Sequence, residues 1–178
     1  MMKQRGDKEL SAAGGRGAIA PNGKPVESVW DFPRPPAVER VGWRIRVVHG
    51  GEVIADAPSV LRMLETSQAP AYYVAPEHVH EEFRLATARR THCEWKGGAT
   101  YADVVAGHRV APAACWTYLA PTAPFVSIEG HWAFYAQALD ECWVDDERVD
   151  PNDGDFYGGW ITANVTGPFK GAPGTMFW

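Results

Sequence analysis

Gly42-Trp43-Arg44-Ile45-Arg46-Val47-Val48-His49-Gly50-Gly51-Glu52-Val53-Ile54-Ala55-Asp56-Ala57 is the stretch that decides the fold. Trp43, Ile45 and Val47 alternate with Arg44 and Arg46, the period-two pattern of a strand with one face in a core and the other in water. Gly50-Gly51 supplies a two-residue hairpin turn, and Glu52 to Ala57 returns as the partner strand.

The same signals recur outward from this hairpin. Val60 to Leu64 reads equally as a short strand or one helical turn. Ala71 to Ala75 is a tyrosine-bearing strand that stops at Pro76. Pro76-Glu77-His78-Val79 is the proline-first opening of a short helix reaching Phe83. Thr91 to Trp95, Thr100 to Val105 and Ala113 to Tyr118 are further strands, separated by Gly97-Gly98 and Gly107. Trp132 to Tyr135 and Leu139 to Val144 continue the series, and Asp145-Asp146 turns into Glu147 to Val149. Many short strands at close spacing predict a mainly β fold, a sandwich or open barrel, with at most one or two short helices.

A chain of 178 residues fits one domain with a tail and can bury roughly 70% of its unfolded surface. Residues 1–28, polar and rich in Gly and Ala at their start, read as a disordered N-terminal arm. Val29-Trp30-Asp31-Phe32-Pro33-Arg34-Pro35-Pro36 reads as an extended strap, opening a single β domain over residues 29–150. Residues 151–178 interleave glycines with Phe156, Tyr157, Trp160, Phe169, Phe177 and Trp178. Such a tail cannot form its own core, and is expected to wrap the domain and shield a sheet edge.

Composition excludes several functions. A net charge of -5 argues against nucleic acid as a partner, because a phosphate-backbone binder needs a basic stripe. No apolar run is long enough to span a bilayer, and residues 1–17 lack the apolar centre of a secretory signal. Three cysteines, at 93, 115 and 142, form no even set or close pair, so a reducing cytoplasm is the expected location. The late acidic cluster from Asp140 to Asp155 reads as a solvated edge. No metal or other cofactor is expected, and the sequence fixes no oligomeric state.

Val29 to Pro36, Leu64-Glu65-Thr66, Tyr72-Tyr73-Val74, Cys93-Glu94-Trp95-Lys96-Gly97 and Trp116-Thr117-Tyr118 form one ordered set. Gly130 to Tyr135, Phe156-Tyr157-Gly158-Gly159-Trp160 and Gly167 to Gly171 complete it. The set resembles domain-of-unknown-function family 427, which also carries a nucleotidyltransferase-like label. The resemblance implies a compact antiparallel domain of the β-tent type, two small sheets leaning together over a groove. It implies no established reaction. Nucleotidyl transfer would need a Gly-Ser turn followed by paired acidic residues; no Gly-Ser dipeptide occurs, and Asp153-Gly154-Asp155 lies in the tail. The two Cys-x-x-Cys pairs that hold zinc in other β-tent proteins are missing as well.

Thr91-His92-Cys93-Glu94-Trp95-Lys96-Gly97 concentrates the candidate chemistry. Strand alternation puts Cys93 and Trp95 on one face and His92, Glu94 and Lys96 on the other. Cys93 would be a nucleophile if a base reached it, which adjacent His92 cannot do and His131 could from another strand. The alternative is a structural thiol packed beside Trp95. Lys96, next to Gly97-Gly98, could hold a carboxylate or phosphate or be a solvated turn lysine. Tyr73, Trp95, Trp116, Tyr118, Trp132 and Tyr135 could converge as an aromatic cage for a flat ring or a cation, or could fill the core. His78 and His80, two apart on a short helix, cannot share a metal ion.

Two functions follow. In the first, an aromatic groove lined by Tyr73, Trp95, Lys96, Tyr118 and Tyr135 binds a small ring-bearing or anionic metabolite, with Cys93 and His131 as the candidate catalytic groups. In the second, the same groove is a non-catalytic module that receives a peptide or protein.

Overall fold

The computed structural model describes residues 17–178. In chain order the strands are β1 (Glu27–Ser28), β2 (Ala37–Val41), β3 (Ile45–His49), β4 (Glu52–Ala57) and β5 (Val60–Leu64). Then come β6 (Ala71–Tyr73), β7 (Arg84–Cys93), β8 (Gly97–Ala106), β9 (Arg109–Thr117) and β10 (Trp132–Phe134). The last are β11 (Glu141–Val144), β12 (Glu147–Arg148), β13 (Asp150–Pro151), β14 (Trp160–Ile161) and β15 (Val165–Thr166). The protein is mainly β, with several antiparallel sheets and little helix.

β3 and β4 form the expected hairpin: Gly50 and Gly51 take φ of +59° and +82°, and His49 pairs Glu52 across them. That hairpin belongs to a four-stranded sheet in the order β12-β11-β3-β4. A second four-stranded sheet runs β10-β9-β8-β7, and a three-stranded one runs β2-β5-β6. Two-residue pairings β13-β14 and β1-β15, the latter parallel, tie down the later chain. Three principal sheets therefore stand where two were expected.

The three-stranded sheet and the β10-β9-β8-β7 sheet are joined edge to edge. Val74, just after β6, and Trp132, at the start of β10, exchange two backbone hydrogen bonds of 2.8 Å each. Away from its edge strands the joined layer is buried on both faces. Val60, Tyr72, Ala102, Val104, Cys115 and Phe134 face the core shared with β3, β4 and β11. Leu61, Met63, Tyr73, Tyr101, Trp116, Ala133 and Tyr135 face a second cluster on the other side. This explains the ambiguity of Val60 to Leu64: a strand covered on both faces shows no alternation.

Helix is confined to five 3₁₀ segments among the described residues, more segments than expected but none an α-helix. The predicted helix from Pro76 to Phe83 resolves into two single turns, Pro76–His78 and Glu81–Phe83. Between them Val79 is drawn into a bridge with Ala55, and His80 N–H donates to the Ile54 carbonyl at 3.0 Å. Pairing with β4 thus wins over helix propagation. No helix among the described residues is long and apolar enough to cross a membrane.

Of the arm expected over residues 1–28, residues 1–16 lie outside the described residues. From Ala20 onward the chain lies against the domain. Lys24 is buried and pairs with Asp145 at 2.7 Å. Glu27 receives two hydrogen bonds of 2.7 Å from the guanidinium of Arg62, and Glu39 receives one of 2.6 Å. Arg62 is itself buried on β5, and its guanidinium lies 4.8 Å from the Trp43 ring, with the Lys24 ammonium 5.0 Å from the same ring. One indole thus bears two cations, and each cation keeps a carboxylate partner. The tail packs as well, with Trp160 fully buried in the larger core and its indole N–H donating to the Phe134 carbonyl at 2.9 Å.

Removing the guanidinium leaves Glu27 facing an apolar strand with no counter-charge. Arg62→Ala is expected to lower unfolding free energy by about 3 kcal/mol, the low end for breaking a buried pair because Glu39 can turn to water. Urea unfolding of wild type and variant measures it.

Candidate functional site

The second cluster is not fully packed. It encloses a cavity of about 260 Å³, on the face of the joined layer opposite the larger core. β6 and β9 present Tyr73 and Trp116, with Tyr118 just after β9 and Tyr135 just after β10. Period-two alternation puts all four on this face. Trp116 and Tyr135 have ring centroids 4.6 Å apart, and the Trp116 indole N–H donates to the Tyr73 hydroxyl at 3.3 Å. Tyr101 on β8 bonds Thr91 on β7 through their hydroxyls at 2.9 Å. The aromatic convergence is therefore real, except for Trp132. That residue is one position out of phase with Ala133 and packs toward the larger core, its ring 4.5 Å from the Arg84 guanidinium.

The charged end of the cavity comes from the β7–β8 turn. Cys93 pairs with Gly97, so the turn is Glu94-Trp95-Lys96 rather than Gly97-Gly98. Gly97 takes φ of +96° as the first residue of β8. The earlier turn corrects the expected facing of Lys96. Within β7, Thr91 and Cys93 are half-buried on the cavity side and His92 is exposed, as alternation requires, while Glu94 and Trp95 in the turn also border the cavity. Lys96, however, has left the strand and folds back to the side of Cys93, where it is only 8% exposed. Thr122 fixes the turn, its N–H donating to the Lys96 carbonyl at 3.1 Å and its hydroxyl to the Trp95 carbonyl.

Lys96 Nζ lies 3.6 Å from Glu65 Oε2. Glu65 follows β5 in a tight turn: Gln68 N–H donates to its carbonyl at 3.1 Å, and Ser67 takes φ of +69°. Burial pulls the ammonium down, but Tyr73, Cys93 and Glu65 beside it more than compensate, and its pKa rises above the ordinary 10.5. The buried phenols of Tyr73, Tyr118 and Tyr135 are all pushed upward by desolvation. At neutral pH the cavity therefore presents an ammonium and protonated phenols, which are donors.

The tail supplies the remaining wall. Phe156, Tyr157, Gly158 and Gly159 border the cavity, and the Tyr135 hydroxyl donates to the Phe156 carbonyl at 3.2 Å. Gly158 rests on the Trp116 ring so closely that a Cβ there would lie 2.2 Å from the indole Cη2. Arg89 sits 4.5 Å from the Tyr101 ring and Lys170 5.3 Å from the Tyr157 ring, both at the border.

Of the residues singled out from sequence, Tyr73, Cys93, Trp95, Lys96, Tyr118 and Tyr135 all border this one cavity. His131 does not. Its Nδ1 is 3.1 Å from the Glu129 carbonyl oxygen, outside the cavity lining, so the proposed pairing with Cys93 is not made. Glu65, Tyr101, Arg89 and Lys170 were missed. Tyr101 was legible, since it lies on the strand predicted from Thr100 to Val105; Glu65 and Lys170 depend on turn and tail contacts and Arg89 on an edge strand, none of which carries a periodic signal. His78 ends one 3₁₀ turn and His80 precedes the next, with His80 Nδ1 3.4 Å from Glu82. Among the described residues no group of three or more His, Cys, Asp or Glu is placed to hold a metal ion.

The three thiols differ in kind. Cys115 and Cys142 are buried in the larger core, and burial pushes Cys115 up to about 12 and Cys142 also upward. Cys93 is half-buried at the cavity.

A family model described as Domain of unknown function (DUF427) matches residues 37–145. No match was found among curated proteins.

Two outcomes follow from this geometry. Native protein should release one equivalent of thionitrobenzoate from Ellman's reagent, from Cys93, and unfolded protein should release three, one per cysteine. Gly158→Ala should displace the tail from Trp116 and cost about 1–3 kcal/mol, read by thermal unfolding alongside tryptophan emission.

Proposed function

We propose, from the premise that the chain belongs to the DUF427 family, that its aromatic cavity binds a small ring-bearing molecule with an anionic group. The observation that carries this reading is Lys96, a lysine 8% exposed whose side chain borders an aromatic space. Burying an ammonium is costly unless something compensates it. Glu65 at 3.6 Å does so only loosely; an anion on Lys96 would complete it, with Trp116 and Tyr135 stacking on the ring and the neutral phenols of Tyr73 and Tyr118 donating to the anion's remaining lone pairs. Its raised pKa keeps the ammonium charged through neutral and mildly alkaline pH. Arg89 and Lys170 at the border add attraction for anions in a chain whose net charge is -5.

The tent-like reading of the fold goes with this site. The β2-β5-β6 and β10-β9-β8-β7 sheets, meeting at Val74 and Trp132, would be the two slopes, and the cavity the space beneath them. Cys93 is the candidate nucleophile within that space. With His131 elsewhere, Lys96 is the charged group at the thiol's side of the cavity.

The second reading, a docking groove for a peptide, has less support. A peptide site needs a long trough or a free strand edge, whereas Phe156 to Gly159 border this cavity on one side. A volume of about 260 Å³ also falls below the roughly 300–1,000 Å³ of sites for drug-sized ligands.

A thermal-shift screen of aryl carboxylates and aryl phosphates on wild type and Lys96→Met tests the proposal. Members of the panel should raise the melting temperature of wild type and leave the variant unmoved. Equal stabilisation of both proteins would remove Lys96 from the site.

A further inference from the structure

Resting on that reading, we infer that the ligand is a zwitterion, an aromatic α-amino acid or a close analogue, whose carboxylate meets Lys96 and whose ammonium meets Glu65. The inference comes from an ion pair that is left open. The other Lys and Arg pairs with carboxylates among the described residues are closed: Lys24–Asp145 at 2.7 Å, Arg44–Asp56 at 2.6 Å, Arg62–Glu27 at 2.7 Å, Arg62–Glu39 at 2.6 Å and Arg109–Asp140 at 2.7 Å. Lys96–Glu65 stands at 3.6 Å, with side chains only 10% and 15% exposed.

This is the reverse of what solvation favours. A buried pair needs short, well-made hydrogen bonds to offset desolvation, and charge-assisted ones run about 2.7–2.9 Å. Exposed Arg44 and Asp56 can afford a loose contact and do not make one. Lys96 and Glu65 can least afford it, and each is held by its own turn. Thr122 clamps the turn carrying Lys96, while Glu65 sits in a turn whose Ser67 N–H donates to the Val29 carbonyl at 2.9 Å and whose Ser67 carbonyl accepts from Lys170 N–H at 2.7 Å. An ammonium and a carboxylate thus stand side by side at one cavity with a gap between them.

The complement to such a pair is a molecule with the opposite charges on adjacent atoms. An α-amino acid carries its ammonium and carboxylate on one carbon, so a single pose can satisfy both side chains. Its ring would then lie against Trp116, Tyr118 and Tyr135, and the cavity volume suits a molecule of that size. Arg89 and Lys170 do not compete for the carboxylate, because each is already engaged over a ring at the border.

Isothermal titration calorimetry on the full chain separates the possibilities. The probes are L-phenylalanine and L-tryptophan, their deaminated counterparts 3-phenylpropionate and indole-3-propionate, and their decarboxylated counterparts 2-phenylethylamine and tryptamine. One amino acid should bind about tenfold tighter than either of its counterparts. In Glu65→Gln that advantage over the deaminated acid should vanish while the acid itself binds as before. If Glu65→Gln does not fold, the wild-type ranking decides alone. Deaminated acids that bind as well as the amino acids would overturn the zwitterion and leave the anion site standing, as would aryl carboxylates binding where no amino acid does. A ranking led by the amines overturns it through Lys96. Silence from every probe, with no response in the aryl-anion screen, would sink both readings.

Discussion

Two reciprocal hydrogen bonds between Val74 and Trp132, each 2.8 Å, set the geometry on which the rest depends. They close the edge between β6 and β10 and turn two small sheets into one layer with two faces. Once the layer is continuous, alternation does the sorting. Tyr72 and Phe134 go to the larger core, while Tyr73 and Tyr135, their neighbours in sequence, go to the cavity. The junction also satisfies backbone groups that would otherwise be unpaired at two sheet edges. The part of the aromatic wall made by Tyr73, Tyr101 and Trp116 is in this sense a by-product of sheet joining.

The charged end is built on a different principle. Lys96 and Glu65 both sit in turns, and turns are precise only when something holds them. Here the clamps come from far along the chain: Thr122 on one side, the strap and the tail on the other. Rigid aromatic faces and braced turns together make a site whose groups are positioned before any ligand arrives, which lowers the ordering cost of binding.

How much of this was legible follows from which contacts are local. The β3–β4 hairpin was readable because Gly50-Gly51 and the Trp43-Ile45-Val47 alternation are short-range signals. Cys93 and Tyr73 were placed on a common site because strand period fixes their faces; Trp95, in the turn, reaches it without that period. Lys96 was assigned the wrong face for an instructive reason: alternation holds only while the strand lasts, and Cys93 ends it by pairing with Gly97. Trp132 failed by one residue of phase. β7 extends back to Arg84, well before the predicted start, because an edge strand with both faces largely in water has no hydrophobic period to read. His131 was chosen for its chemistry alone, and nothing local placed it near Cys93. The open Lys96–Glu65 pair is a matter of tertiary distance, invisible at any window length.

The wall made by Phe156 to Gly159, and Trp160 beneath it, bears on how the chain is made. Synthesis proceeds from the N-terminus, so every strand through β12 exists before the residues that cover Trp116 and fill the space between Tyr72 and Phe134. Until then the nascent layer exposes apolar surface on both sides, the condition in which partly folded chains associate. The β1–β15 pairing adds a contact between nearly opposite ends of the described chain, a long loop to close before it stabilises anything. The site and the fold are thus completed together and late. Any factor that shelters new chains would find its need greatest until residues 156–166 have been made.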